Sequence, residues 1–390
     1  MTELATKRFS FVRQPSASNR IPRQINKNLV FHLIHKRQPL SRADLARLTG
    51  LQRRTISLIT EDLIQDGWVL EGAIGSLPRG RRPTFLHVNK QRAVIALDIH
   101  PSHVTLGVAD LGGSIVEQNV IDIPDDRSRA VEAIVRAVKK TLADHSDRTF
   151  DGIGICLPGR FDPARNGFIF APNLKWPVES IRSRIHEATR MRVEMDNVAN
   201  ACALSEIWFG DSDGHHDLVV VNVSEGLGTG IFANGHLLRG HDGMAGEFGH
   251  VKIDSDGPLC GCGGKGCWET IASNRAGMRY YQELTGHACG SFGALISLAG
   301  SGDKPASQAL ETMCRALGRG LHMVASALAP GEIVIVGDIT EAWSAFGGLI
   351  ETEMRRSPLA AVPRVRPATL EKSKARLRSA VALVMKDSSL

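Results

Sequence analysis

Between His250 and Glu269 the chain reads H-V-K-I-D-S-D-G-P-L-C-G-C-G-G-K-G-C-W-E, and no other stretch restricts the possible folds as strongly. Cys260, Cys262 and Cys267 fall within eight residues, and His250 lies ten positions upstream. Glycines at 261, 263, 264 and 266 let the backbone turn tightly around a centre. One imidazole and three thiolates are the donor set of a closed tetrahedral zinc site. A glycine-rich turn with free thiols is the bland alternative, but cysteines seldom crowd in this way without a metal or a disulfide. Zinc is therefore the expected cofactor, with His250, Cys260, Cys262 and Cys267 as ligands. Glu247 and Glu269 flank the motif. Metal ligands are usually tied down by outer partners, so the loop can hold polar side chains at the edge of a ligand pocket.

The remaining cysteines, Cys156, Cys202, Cys289 and Cys314, sit in apolar contexts and read as buried thiols. That usage favours a reducing cytoplasm. No apolar run approaches the roughly 18–20 residues of a membrane span, and Met1 to Phe11 lacks the apolar centre of a secretory signal. Cytoplasmic localisation without a membrane partner is the expectation.

Charge divides the 390 residues unevenly. Residues 1–92 hold 17 Lys+Arg against six Asp+Glu, a net +11, whereas the rest carries 30 against 35, a net −5. A basic module on an acidic body suggests a head that binds a polyanion. Residues 1–19 read as a flexible basic tail. From Ile25 the spacing of Ile25, Leu29 and Leu33, with Val30 and Ile34 beside them, predicts a helix. Ser41 followed by Asp44 predicts a capped start for a second helix, Ala43 to Leu48, carrying Leu45 and Leu48. Thr49-Gly50-Leu51 makes a turn, and a third helix follows from about Gln52 to Gln65 with Ile56, Ile59 and Leu63 inward. Helix, tight glycine turn, helix is the helix-turn-helix arrangement, whose last helix enters a DNA major groove with its N-terminal residues near the bases. Arg53, Arg54, Thr55 and Ser57 are accordingly expected to contact DNA. Strands at 68–70 and 84–88 enclose a loop containing Arg79-Gly80-Arg81-Arg82-Pro83, whose Arg81 and Arg82 can reach phosphates or a minor groove. Residues 20–90 are thus expected to form a winged helix-turn-helix DNA-binding domain.

From Ala93 the pattern changes to apolar strands at 93–98, 104–109 and 114–116, a helix near 129–143, and further strands at 152–157, 218–223 and 333–336. The chain closes on an amphipathic helix, 370–385. Strands alternating with helices predict an α/β body, possible in two similar halves.

Taken together these residues resemble the ROK family (repressors, open reading frames and sugar kinases), and specifically its repressor branch. The resemblance rests on Gly246-Glu247-Phe248-Gly249-His250 with the cysteine motif, on Leu157-Pro158-Gly159, Ala171-Pro172-Asn173-Leu174, Asn197, Ala199-Asn200-Ala201, Gly226-Leu227-Gly228-Thr229-Gly230 and Gly235-His236-Leu237-Leu238-Arg239-Gly240. It implies an actin-like, hexokinase-type ATPase fold of two lobes behind the winged helix. The small α/β lobe would span 93–196, completed by a C-terminal helix at 370–388, and the large lobe with the zinc motif 197–369. It further implies a sugar pocket formed by Asn197, Glu247, His250 and Glu269, with Asn173. Amides and carboxylates suit vicinal hydroxyls, and His250 would give one nitrogen to zinc and the other to the sugar.

Two departures from the kinases of that family bear on function. Where the resemblance calls for the acid that deprotonates the sugar, this chain has Val198, and an isopropyl group cannot accept a proton. Where it calls for the first phosphate loop, the chain reads Asp98-Ile99-His100-Pro101-Ser102, in which Pro101 removes a backbone donor. Gly337-Asp338 likewise shortens the glycine run expected near the nucleotide. Phosphoryl transfer depends on positioning and charge stabilisation, so the expectation is a protein that is not an enzyme. The reading is a sugar-responsive transcriptional regulator, a repressor released from double-stranded operator DNA by a sugar or amino-sugar effector, acting as a homodimer or homotetramer. Its rivals are an active sugar kinase with a fused DNA-binding head and a regulator controlled by a protein partner.

Overall fold

The computed structural model describes residues 20–74, 83–162, 167–170, 174, 178, 180–211, 217–356, 363–368 and 372–386. Residues 1–19, Arg81 and Arg82 of the basic loop, and Asn173 lie outside them. The chain divides near residue 89 into two compact units.

The first unit runs α1 (Arg20–Arg37), β1 (Leu40–Ser41), α2 (Arg42–Thr49), α3 (Arg53–Gln65), β2 (Val69–Ile74) and β3 (Thr84–Val88). Its strands form an antiparallel sheet in the order β1-β3-β2. Ser41 opens α2 through a complete capping box with Asp44, which satisfies two otherwise orphaned amide donors. Gly50 closes that helix at φ 69°, a conformation that costs glycine nothing. Ile56, Ile59 and Leu63 of α3 point into the core as their spacing requires. Two inward assignments from the sequence need correction. Leu29 is 41% exposed and Leu48 44%. Val30, Phe31 and Ile34 fill the core instead, because the Phe31 ring meets Trp68 edge-on at 5.5 Å and sets the rotation of α1. Leu45 already fills the inward position of the short α2, and Leu48 falls at its far end.

The second unit contains two halves of the same plan. The first half comprises β4 (Arg92–Ile99), β5 (His103–Asp110), β6 (Ile115–Asp122), α4 (Ala130–Asp144), β7 (Thr149–Leu157), a hairpin of β8 (Arg160–Asp162) and β9 (Gly167–Phe170), α5 (Ile181–Thr189), β10 (Val193–Asn197) and α6 (Val198–Phe209). The second half comprises β11 (Leu218–Val223), β12 (Leu227–Ala233), β13 (His236–Leu238), α7 (Trp268–Ala272), α8 (Asn274–Thr285), α9 (Phe292–Gly300), α10 (Lys304–Leu328), β14 (Glu332–Gly337), α11 (Trp343–Met354), β15 (Arg364–Pro367) and α12 (Lys372–Lys386). In each half an antiparallel meander (β4-β5-β6 or β11-β12-β13) comes first. Two strands then add in parallel on the far side of its first member, β7 and β10 or β14 and β15. The central strands β11 and β14 are buried along their whole length, as expected where both sheet faces are covered.

The closing helices exchange partners. The two helices pack on each other, and against the sheets α6, which ends the first half, packs on β11 and β12, while α12, which ends the second, packs on β4 and β7. Both contacts are close enough to require glycine beneath them. A Cβ on Gly154 of β7 would lie 1.9 Å from the Ala380 carbonyl oxygen, and one on Gly230 of β12 would lie 2.1 Å from that of Ala199. Each helix is also pinned by a buried ion pair. Arg366 of β15 reaches Glu206 of α6 at 2.9 Å and Glu332 of β14 at 2.8 Å, and Arg376 of α12 reaches Asp98 of β4 at 2.8 Å. Cys156, Cys202 and Cys314 are buried free thiols, but Cys289 is only half-buried, because it lies in the connection before α9 and donates to the Ser291 carbonyl at 3.3 Å. Among the described residues no helix is long and apolar enough to cross a membrane.

Candidate functional site

The segment after β13 folds back onto β12. A 3-10 turn, Glu247–His250, lies flat on that strand. A side chain at Gly246 would come within 2.3 Å of the Thr229 carbonyl oxygen, and one at Gly249 within 2.1 Å of that of Leu227. The chain then runs out and returns through short bridges between Lys252 and Cys267 and between Leu259 and Lys265. At the return, Trp268 is fully buried and its indole N–H donates to the Ala316 carbonyl of α10 at 3.1 Å. The loop is thereby anchored to the core at one end and to the sheet at the other.

Between these anchors, one donor atom from each of His250, Cys260, Cys262 and Cys267 gathers within 4.8 Å of the others, a group that can hold a metal ion. His250 Nδ1 is 3.5 Å from Cys260 Sγ, and Cys262 and Cys267 Sγ are 3.7 Å apart. Cys260 Sγ also donates to Glu269 Oε1 at 2.9 Å. The other imidazole nitrogen, Nε2, faces Glu247 at 3.6 Å. The ring therefore sits between the cysteine cluster and the carboxylate beside it.

That carboxylate opens onto a cleft of about 520 Å³, within the usual range for a small-molecule site. Asn197, Glu247, His250 and Glu269 all line it. Four candidates separated by up to 72 positions in the chain thus line one cleft. Asn197 is more committed than the sequence suggested. Its Oδ1 caps α6 by accepting from the Ala199 N–H at 2.7 Å, and its amide donates to the Gly159 carbonyl. One amide hydrogen remains for a ligand.

Ile99, His100 and Pro101 line the same cleft. Val198, at the first turn of α6, lines the cleft and is almost fully buried. The neighbouring acid, Asp196, is absent from the lining. It pairs with Arg239 at 2.5 Å and accepts from the Asn197 N–H at 2.7 Å. Asp98, at the end of β4, is held between the Arg376 guanidinium and His100 Nε2, at 2.8 and 2.9 Å. Burial pushes its carboxyl up, but Arg376 and then His100 outweigh burial and hold it below the ordinary value of 3.8. His100 stacks on His103 with the ring centroids 4.4 Å apart. Arg376 itself lines the cleft, so a cation from the chain stands beside Ile99, His100 and Pro101. Gly228 belongs to strand β12 beneath α6, where a Cβ would approach Ala199 Cβ at 3.2 Å. Gly226 and Gly228 also line the cleft.

Sequence reasoning did not single out Arg376, and it noted Arg239 only within the motif from Gly235 to Gly240. Asp98 and Arg376 are 278 positions apart, and no local pattern links them. In the first unit, Arg53 and Arg54 are exposed on the first turn of α3, with Thr55 and Ser57 half-buried beside them. Arg81 and Arg82 lie outside the described residues.

Residues 94–386 match the sequence profile of the ROK family. The Xylose repressor of Bacillus subtilis (strain 168) is 33% identical over 327 residues, which span 82% of this chain and 83% of that protein. Among solved structures, a ROK family transcriptional regulator described as a homologue of the E. coli MLC protein superposes with a TM-score of 0.78 at 25% identity, covering 94% of this chain and 98% of its own. A ROK family glucokinase from Streptomyces griseus, in complex with glucose and AMPPNP, superposes with a TM-score of 0.65 at 28% identity and covers 74% of this chain and 98% of its own.

Proposed function

The chain belongs to the ROK family, and on that footing we propose that it is a sugar-responsive transcriptional regulator, a repressor that leaves its operator when a sugar occupies the cleft. The observation that carries this reading is the unequal cleft. Its lining gathers Asn197, Glu247, His250 and Glu269, the groups that suit hydroxyls. Beside them stand the isopropyl group of Val198 and the guanidinium of Arg376, which is already paired with Asp98. A sugar can be held there, but Val198, at the position where the family's kinases carry the acid, cannot take its proton. Asp196 does not substitute, since Arg239 and the Asn197 amide engage it. The described head supports the same reading with a helix-turn-helix bearing exposed Arg53 and Arg54. Arg81 and Arg82 would add phosphate or minor-groove contacts, and Asn173 a further sugar contact. A homodimer or homotetramer would present paired heads to a palindromic operator.

The ion we assign to the cysteine cluster is zinc. Zn–S bonds of about 2.3 Å at tetrahedral angles put two sulfurs about 3.8 Å apart, and a sulfur and an imidazole nitrogen about 3.6 Å apart. The observed 3.7 and 3.5 Å fit that donor set. Zinc would take Nδ1 of His250 and leave Nε2 toward Glu247 and the cleft. Its part is structural, fixing the loop that carries Glu247, His250 and Glu269 along one wall.

The test is release of DNA. Full-length protein is used to select binding sites from a random duplex pool, and a sugar panel headed by xylose, the sugar in the name of the Bacillus subtilis relative, is added to the selected complex. One sugar should release the DNA, and an ATP-coupled assay over the same panel should show no turnover. An effector acts only through its difference in affinity for the two states. A panel that never shifts the complex, or turnover at ordinary kinase rates, overturns the reading. In the same assay Arg53→Ala should weaken operator binding by about 1–3 kcal/mol if the side chain contacts a base. Mobility shifts equal to those of the unaltered protein would remove Arg53 from the interface.

A further inference from the structure

α3 has two faces at helical spacing. Ile56, Ile59, Thr60 and Leu63 are buried. The opposite stripe is Arg54, Ser57, Leu58 and Glu61, at relative positions one, four, five and eight, the spacing of a single helix face. Arg54, Leu58 and Glu61 are exposed and Ser57 is half-buried. Leu58 keeps 50% of its surface, the most of any large hydrophobic residue described in the first unit. An isolated exposed leucine needs no explanation in itself. Its location does carry information. Leu58 is the sixth residue of α3, inside the N-terminal half that a recognition helix turns toward base edges, and it lies between charged neighbours one turn before and one turn after.

The partner of that stripe follows from charge. Residues 1–92 carry a net +11, which favours a polyanion. Within a DNA major groove the base edges offer donors, acceptors and one apolar feature, the C5-methyl group of thymine. Arg54, Ser57 and Glu61 match the polar features, and Leu58 matches the methyl. We propose that Leu58 is a specificity-determining residue that packs on a thymine methyl in each operator half-site. This inference rests on the DNA-binding reading given above and adds to it the chemistry of one base pair. At about 1.5 Å of rise per residue, Leu58 lies about 6 Å along the helix from Arg54. With base pairs about 3.4 Å apart on each strand, the thymine falls about two base pairs from the one Arg54 reads.

Exchanging thymine for uracil removes the methyl and nothing else. Full-length protein is first used to select sites from a random duplex pool. Each thymine of the resulting half-site is then replaced singly by uracil, and binding is measured for the unaltered protein, Leu58→Ala and Leu58→Met. One thymine per half-site should lose about three- to fivefold in affinity on exchange with the unaltered protein, the value of burying about one methyl group. Leu58→Ala should bind the thymine and uracil forms equally at that position, and Leu58→Met should keep part of the difference. Because Leu58 is half-exposed, Leu58→Ala should melt at the same temperature as the unaltered protein, which separates lost contact from lost fold. The inference is overturned if no thymine in the site is sensitive to exchange, or if a sensitive one stays equally sensitive in Leu58→Ala. It is also overturned if Leu58→Ala weakens thymine and uracil forms alike, which would point to a contact between copies of the chain. A pool from which no sequence is enriched would instead sink the DNA-binding reading itself, and this inference with it.

Discussion

Replacing Arg376 by methionine is expected to destabilise the protein by about 3–5 kcal/mol at neutral pH, the usual consequence of removing one partner of a buried ion pair. Asp98 is only 4% exposed, and its strongest compensating charge comes from Arg376, with His100 second. Without the guanidinium, burial becomes the dominant influence on the carboxyl and raises its affinity for a proton. The pH dependence then changes sign. In the unaltered protein the Asp98 carboxyl lies below 3.8, so its contribution to stability is present above that pH and is lost only as pH falls through the lower folded value. In Arg376→Met the folded carboxyl titrates above its unfolded value. The deficit should grow as pH rises from about 4 and narrow again on acidification. Adding Asp98→Asn removes the stranded charge and should recover most of the loss. Urea unfolding of the three variants at pH 5 and pH 8 checks all of this. A deficit below about 1 kcal/mol, or one that widens on acidification, would show that the pair does not tie α12 to β4.

The second large effect concerns the metal. Cys262→Ser should weaken zinc binding by at least about 100-fold, since even outer partners of metal ligands are worth 10- to 100-fold. Cys262 is the exposed cysteine of the four-residue group, so serine in its place removes a ligand without opening a cavity. The measurement is zinc content by elemental analysis after dialysis against a chelator, with Cys289→Ser as the control. Cys289 lies outside the cluster and should leave the metal content unchanged. The altered protein should also lose much of its sugar response, because the loop from Glu247 to Glu269 supplies three of the four described cleft residues proposed for the sugar. Full zinc content in Cys262→Ser would refute its assignment as a ligand. Full sugar response in a zinc-free protein would refute the supporting part given to the metal.

Much of the head was legible in the residues, because its determinants are local. The capping box of Ser41 and Asp44 spans three positions, Gly50 marks its turn by backbone preference, and the inward stripe of α3 follows from helical period alone. The errors at Leu29 and Leu48 arose where period was not sufficient. Packing of the Phe31 ring against Trp68 set the rotation of α1, and the short α2 left its last leucine beyond the core. The absence of a proton acceptor at Val198 could also be read directly. Only the tertiary structure shows that Asp196, two positions earlier on β10, is engaged by Arg239.

Spacing by itself pointed to the group that can hold a metal ion. His250 to Cys267 is a short segment, so little closure entropy opposes its gathering, and donor types announce themselves by identity. Spacing also determined the amphipathic head and the alternation of strands and helices in the body. The exchange of α6 and α12 between the two sheets does not follow from spacing; the resemblance implied a C-terminal helix on the small lobe, and the folded chain has α12 on β4 and β7 and α6 on β11 and β12. The resemblance likewise implied a pocket of Asn197, Glu247 and Glu269, whereas only the folded chain shows the Asn197 oxygen committed to a helix cap. The same holds for Arg376 beside Asp98, 278 positions away. Such contacts depend on two sheets completing their cores and drawing distant segments together. No single stretch of sequence carries the free energy that holds them in place, so no single stretch reveals them.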